Sequence, residues 1–438
     1  MPPVASSATQ ARQLVRETLR VAQATDWLDD AELVVSEVVT NALVHAATQM
    51  HVVVRVGPTR VRVEVRDGSA HLPVRRDFSL ASGTGRGLHL IAELADDWGA
   101  YIDGDGKVVW FEMRGDAAST RDEQRLGDGP ADPDGALTVE LRNFPLLIHA
   151  AWQEHAAALL RELLLISIDE GAPATFQEHA GASDAMNLLA EQVPVLELGP
   201  EPEAIMSAAV EPSVSMRSLP LRVPRSSVAS FAVLDAMLSH ATALAEAGAL
   251  LATPTQPEVV ELRQWICSQV HHQSTGETAA EPWSLRADVL QPADVAFDAG
   301  WDPQATTDSP RARLAMDEHG IIVAVSRSAA TLLGYQEQSE LIGHRIIRIV
   351  PPRYHQAHIG GMTLHLTNGR SPLLGRRLAV PVVKQDGTEV TVTLLVEPHL
   401  LPGGHRLFFA DFAAPGTTNE PPQVSSEGSR QAGTAPTA

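Results

Sequence analysis

Apolar residues recur at helical spacing over residues 8–24 and 31–46, and then alternate with polar ones over 51–56 and 60–66 across a Gly57-Pro58 turn. The first stretch of chain is therefore expected to form two helices followed by a pair of strands. Residues 87–95 return to a helical period and 107–113 (KVVWFEM) to a strand. The pattern predicts a layer of helices on a mainly antiparallel sheet over residues 1–115. A second block, 137–285, carries long amphipathic runs at 146–168, 226–251 and 258–270, the last two joined by a turn between Pro254 and Pro257, and is expected to be a helical module. A third block, 311–412, alternates strand, short helices and three further strands ending at 405–412. Polar, Gly/Pro-rich segments at 116–136 and 286–310 are expected to be linkers, and 413–438 a disordered tail. The expected fold class is thus α+β and multidomain.

Composition narrows this picture. The 438 residues, 44% of them hydrophobic and 20% charged, suffice for two or three packed domains. Acidic residues outnumber basic ones by 54 to 33, and a net charge of −21 repels nucleic acid and anionic lipid, so neither is an expected partner. One cysteine, Cys267, excludes an internal disulfide, a Cys-rich zinc site and a CxxC redox pair. The first residues lack an apolar signal core, and the apolar stretch 156–168 is interrupted by Arg161 and Glu162 and is short for a bilayer, so the expected setting is cytoplasmic.

Chemistry concentrates in the first block. On the helix 31–46, Glu37, Asn41 and His45 are four residues apart and share one face among Val, Leu and Ala. An exposed polar edge accounts for such a stripe as readily as a site, and a histidine on an apolar face is most often a packed one. Two further features favour a site. Asp67-Gly68 stands at a strand end, where glycine lets a backbone approach a ligand. The run Ser82-Gly83-Thr84-Gly85-Arg86-Gly87 leads into a helix, the arrangement in which free N–H groups and a positive helix end hold phosphate.

Taken in order, LVVSEVVTNALVHA, VEVRDGS, TGRGLHLIAELADDWG and DGKVVWFEM resemble the four boxes of the Bergerat-fold (GHKL, histidine kinase-like) ATPases. The set is most similar to the ATP-binding domain of anti-sigma-factor serine kinases found in actinobacterial regulators. The resemblance implies an α/β sandwich that binds ATP with Mg²⁺. It assigns Glu37 to orienting or deprotonating the attacking nucleophile, Asn41 to the metal and Asp67 to the adenine amino group. Gly68 would adjoin the base, Gly85 and Gly87 would frame the phosphates, and Thr84 and Arg86 would add contacts. It further implies a protein serine/threonine kinase whose partners are an anti-sigma antagonist protein or a sigma factor. A non-catalytic switch, in which ATP controls sequestration of the sigma factor, remains the alternative. The family's opening edge strand looks absent or shortened, and the closing strand Val108-Val109-Trp110 has no hydroxyl near the adenine. The ATPase comes first in the chain, unlike a sensor histidine kinase, and His240 is read as a packed helix residue rather than a phosphoacceptor.

The middle block is similar to a helical segment that accompanies this ATPase in actinobacterial proteins, and is expected to be a spacer that could pair two copies as a homodimer. His149, His155, His271 and His272 lack metal-ligand spacing, and Cys267 is expected to be buried packing. From 311 to 412, MDEHGIIVAVSRSAATLLGY, SELIGHRIIRIVPP, RYHQAHIGGMTLHL and VVKQDGTEVTVTLLVEP resemble a PAS domain, which implies a sheet around an apolar pocket for a ligand yet to be identified. The block has no cysteine, which excludes a flavin–cysteine adduct. His358 stands where haem-binding PAS domains place their iron ligand, although the arginine of such sensors is replaced near Leu378, so haem is the minor alternative.

Overall fold

The computed structural model describes the chain except residues 5, 47, 70–85, 105, 116–134, 170–173, 197–201, 277–278, 285–300, 370–371, 402–404 and 414–438. The first unit begins with α1 (Ser6–Val21) and α2 (Leu28–His45), followed by β1 (His51–Val56), β2 (Arg60–Asp67), α3 (Arg86–Leu94), β3 (Asp97–Asp103) and β4 (Gly106–Arg114). The four strands form an antiparallel sheet in the order β1-β2-β4-β3. Alternation on β2 turns Val61, Val63, Val65 and Asp67 to one face, where the three valines meet Ala11, Val15 and Leu19 of α1 and Val34, Val35, Val38 and Val39 of α2. The opposite face carries an ion-pair lattice instead. Arg62 contacts Glu64 at 2.7 Å and Glu112 at 3.0 Å, and its guanidinium lies 3.9 Å from the Trp110 ring. Strand β3 escapes the sequence pattern because Gly99 interrupts it; a Cβ there would come within 2.9 Å of the Trp110 ring. No opening edge strand is present among the described residues, and Met1 makes a backbone pair with Met50 beside β1.

The middle unit is less purely helical than the sequence suggests. Strands β5 (Leu137–Pro145) and β6 (Ser215–Val223) pair antiparallel and lie with α4 (Leu146–Asp169), α5 (Ala174–Gln192), α6 (Pro202–Ala208), α7 (Val228–Glu246) and α8 (Pro257–Thr275). Pro220 marks β6 as an edge strand, and its partner lies some 78 residues earlier, as in the Glu140–Ser218 hydrogen bond, so local periodicity hides the ladder. Trp152, Phe144, Leu189, Phe231, Leu234 and Ile266 fill one core. The stretch Arg225–Glu246 is long and apolar enough to cross a membrane by length and composition, with mean hydropathy 1.5. In the fold α7 packs against α5 and α8, with Phe231, Leu234, Met237, Leu238 and Ala241 buried. His240 is exposed on α7 rather than packed. Cys267 is buried as expected, and burial pushes its thiol up to about 12.

The third unit comprises α9 (Gln304–Thr307), β7 (Ala312–Asp317), β8 (Ile322–Val325), α10 (Arg327–Leu332), α11 (His355–Asn368), β9 (Leu378–Val383), β10 (Glu389–Leu400) and β11 (Arg406–Ala413). Its sheet runs β8-β7-β11-β10-β9, all antiparallel. Between sheet and helices lie buried apolar side chains including Leu314, Met316, Ile322, Leu333, Met362 and Phe408.

Helix α11 lies along α4, and at Gly360 an added Cβ would approach the Leu147 carbonyl to 3.1 Å, so the two backbones meet closely there. Ile347 and Ile359 join the middle unit's core. The junction also buries polar groups. Arg345 holds Glu258 through two hydrogen bonds, of 3.0 and 2.5 Å, and reaches Gln256 at 3.0 Å, while Gln256 donates to the Glu318 carbonyl at 2.6 Å. The His155 ring spans the same junction, 3.0 Å from Thr367 Oγ1 and 2.9 Å from Thr255 Oγ1. At the other end of the middle unit, α5 packs on α2 of the first.

Candidate functional site

Three elements of the first unit carry the residues expected at the site. Helix α2 carries Glu37 and Asn41, both half-buried, on the layer that covers the sheet. Strand β2 ends at Asp67, and β4 opposes it with Lys107 in register. The two side chains share the helix-facing side of the sheet with Val65 and Val109. Asp67 and Lys107 are 3% and 6% exposed, and Lys107 Nζ lies 3.3 Å from Asp67 Oδ1. That oxygen also accepts from the Ser69 N–H at 2.8 Å. The other, Oδ2, is buried with no hydrogen-bond partner among the described residues.

An unpaired oxygen on a buried carboxylate is costly unless a donor arrives from outside the protein. Burial pushes the Asp67 carboxyl up, opposed by the Lys107 ammonium and the Ser69 N–H, and it pulls Lys107 down against the attraction of Asp67. Each favours the charged form of the other against that burial, and the pair stands in a water-poor place. These residues fit the amino-bearing edge of an adenine: Asp67 supplies an acceptor with nothing else to satisfy it.

Two glycines shape the corner. Gly68 is close-packed, since a Cβ there would meet Thr48 Cγ2 at 3.0 Å, and its N–H donates to Thr48 Oγ1 at 2.7 Å. Glycine there lets the Asp67 turn fit under Thr48, a local requirement beside the ligand approach expected from sequence. At Gly106 a Cβ would fall 2.1 Å from the Asp67 carbonyl oxygen, so only glycine allows β4 to start there.

Of the phosphate-loop residues, Thr84 and Gly85 lie outside the described residues. Arg86 and Gly87 open α3, as the glycine run predicts, but their side chains and that of His45 lie outside the description as well. Among the described residues no group of three His, Cys, Asp or Glu is placed to hold a metal ion. The Asn41 amide oxygen is a hard donor of the kind Mg²⁺ takes.

Sequence reasoning missed Lys107, although a signal was there. It is one of only two lysines, with Lys384, in a chain whose other 31 basic residues are arginine. Reading the closing strand from Val108 onward found no polar partner for the base, and one residue earlier stood the ammonium. His358, on α11, is half-buried, and burial together with Arg345 and His355 depresses its imidazole to about 4. With α11 engaged by α4, and no group of three His, Cys, Asp or Glu placed for a metal among the described residues, haem is not indicated.

The family model of the histidine kinase-like ATPase domain matches residues 1–113 and that of the PAS fold matches 306–411. An uncharacterized protein of Azorhizobium caulinodans is 25% identical over 166 residues, 36% of this chain, and the chain spans only 22% of that relative's length. Among solved structures, the PAS domain of an HTR-like protein from Haloarcula marismortui is similar at 21% identity and TM-score 0.20, covering 25% of this chain and 86% of its own. The PAS domain of the fruit-fly ELK potassium channel is similar at 17% identity and TM-score 0.20, covering 24% and 85%. The chain therefore joins an N-terminal histidine kinase-like ATPase domain of the GHKL type, through a mixed helical unit, to a C-terminal PAS domain.

Proposed function

We propose that this ATP-binding signalling protein is a serine/threonine kinase of the anti-sigma type, working in the cytoplasm and regulated by its PAS unit. Its substrate in this reading is a Ser or Thr hydroxyl on an anti-sigma antagonist protein, and its second partner is a sigma factor. The observation that carries the reading is the pairing of two features. A buried carboxylate with a vacant acceptor oxygen suits the base, and Glu37 and Asn41 follow each other one turn apart on α2 above the same sheet. Asp67 would hold the adenine, Asn41 would ligate Mg²⁺, and the loop containing Thr84, Gly85, Arg86 and Gly87 would hold the phosphates. Bound Mg²⁺ neutralises charge on the phosphates during transfer. Glu37 would accept the proton of the attacking hydroxyl, a role worth about 10²–10⁴ in rate.

Incubation of the full chain with labelled ATP, Mg²⁺ and the antagonist proteins of its own organism tests this. Wild type should transfer label to one antagonist, and Glu37→Gln should bind ATP as wild type does but transfer at least about 10²-fold more slowly. Transfer by neither protein, with ATP binding intact, makes the nucleotide-controlled sequestration switch the correct reading.

Regulation is supported by continuity of packing. The PAS helix α11 lies on α4, α4 shares its core with α5, and α5 lies on α2, the helix bearing Glu37 and Asn41. Asp184 of α5 is close enough to attract the Lys107 ammonium. A ligand or partner that favours one arrangement of this stack would change nucleotide affinity, and ATP would change its affinity in return.

A further inference from the structure

The ATP-binding reading accounts for Asp67 but leaves a buried lysine beside it unexplained. Lys107 is 6% exposed, and among the described residues its ammonium touches one acceptor, Asp67 Oδ1. An ammonium has three N–H donors, so one contact leaves it with capacity to spare in a place where water cannot supply the rest. Asp67 shows the complementary deficit, an unpartnered Oδ2 in the same buried corner. The chain thus presents a donor and an acceptor side by side, in register on adjacent antiparallel strands, with Gly106 keeping that corner free of a Cβ.

Resting on the ATP-binding reading, we propose that Lys107 is a second base-reading residue, donating to ring nitrogen N1 of adenine while Asp67 Oδ2 accepts from the 6-amino group. The edge of adenine offers that pattern, an amino donor next to a ring acceptor. In the same pose guanine sets its O6 against the carboxylate and its N1–H against the ammonium, so the pair rejects guanine. A lone carboxylate reads only the amino group; the lysine makes the reading two-pronged and ties it to the ring.

Calorimetry on the full-length protein with Mg²⁺ and three nucleotides tests this: ATP, 1-deaza-ATP, which keeps the amino group but has C–H in place of N1, and GTP. Wild type should bind ATP roughly ten- to a hundredfold more tightly than 1-deaza-ATP, the size of one charge-assisted hydrogen bond, and should bind GTP more weakly still. Lys107→Met should bind ATP and 1-deaza-ATP equally, both near the wild-type affinity for 1-deaza-ATP. Equal wild-type affinities for ATP and 1-deaza-ATP, or tighter ATP binding by Lys107→Met, would overturn the proposal and make the lysine a counter-ion that the base displaces. The wild-type comparison stands even if the variant does not fold. Failure of wild type to bind any of the three nucleotides overturns the ATP-binding reading and this proposal together, whereas binding without discrimination overturns this proposal alone.

Discussion

At the scale of single residues, the decisive pair is Asp67 and Lys107, and their mutual dependence makes a sharp prediction. Asp67→Asn replaces one of the two acceptor oxygens by an NH₂ donor and strands a buried ammonium. Breaking one side of a buried ion pair costs about 3–5 kcal/mol. The variant should therefore lose both ATP binding, measured by calorimetry, and stability, measured by denaturant unfolding, and Lys107→Met in the same chain should restore stability but not binding. Unchanged ATP affinity in Asp67→Asn would remove this carboxylate from the site. Asp67 was legible in the sequence because a carboxylate before a glycine at a strand end stands out. Its counter-ion was not, because register between β2 and β4, some 40 positions apart, is a product of sheet assembly.

At the scale of elements, α1, α2, β1, β2, α3 and β4 follow from apolar spacing to within a few residues. The strands β3, β5 and β6 do not, since a glycine under Trp110 breaks one and the other two pair across distant sequence. Helix α4 and α11 meet through His155, which is 2% exposed and bridges Thr255 and Thr367. Burial depresses its imidazole from 6.5 to about 4, so the folded protein holds it neutral. Between those values the unfolded chain binds more protons than the folded one. Its contribution is thus complete above pH 6.5 and lost as the pH falls through 4, at most about 3 kcal/mol in all. Unfolding midpoints followed from pH 7 to 4 should fall less steeply for His155→Gln than for wild type. Parallel curves would show that His155 does not control the acid response.

At the scale of the whole molecule, the PAS unit is welded to the middle one. Glu258 is fully buried (0% exposed), and its charge is met by Arg345 from the PAS side. Deleting residues 311–438 would leave that carboxylate uncompensated and strip Ile347 and Ile359 from the shared core, so truncation is a poor way to isolate regulation. Paired substitution is better. Arg345→Met alone should destabilise by about 3–5 kcal/mol, while Arg345→Met with Glu258→Met should recover most of that loss, because a buried pair exchanged for apolar side chains is often neutral. If the PAS unit regulates the ATPase through this junction, the stable double variant should differ from wild type in ATP affinity or transfer rate. Identical values would make the junction a scaffold only.

The order of the domains, the helix bearing Glu37 and Asn41, and the carboxylate at Asp67 are local patterns, and the amino-acid sequence alone determined them through spacing, turn chemistry and motif order. Tertiary structure decided what those residues meet. It set Lys107 against Asp67, drew β5 and β6 together and laid α5 on α2. Each of these depends on contacts between residues tens to hundreds of positions apart. Such contacts arise from the burial of apolar faces and the pairing of strand edges, and no window of sequence contains both partners.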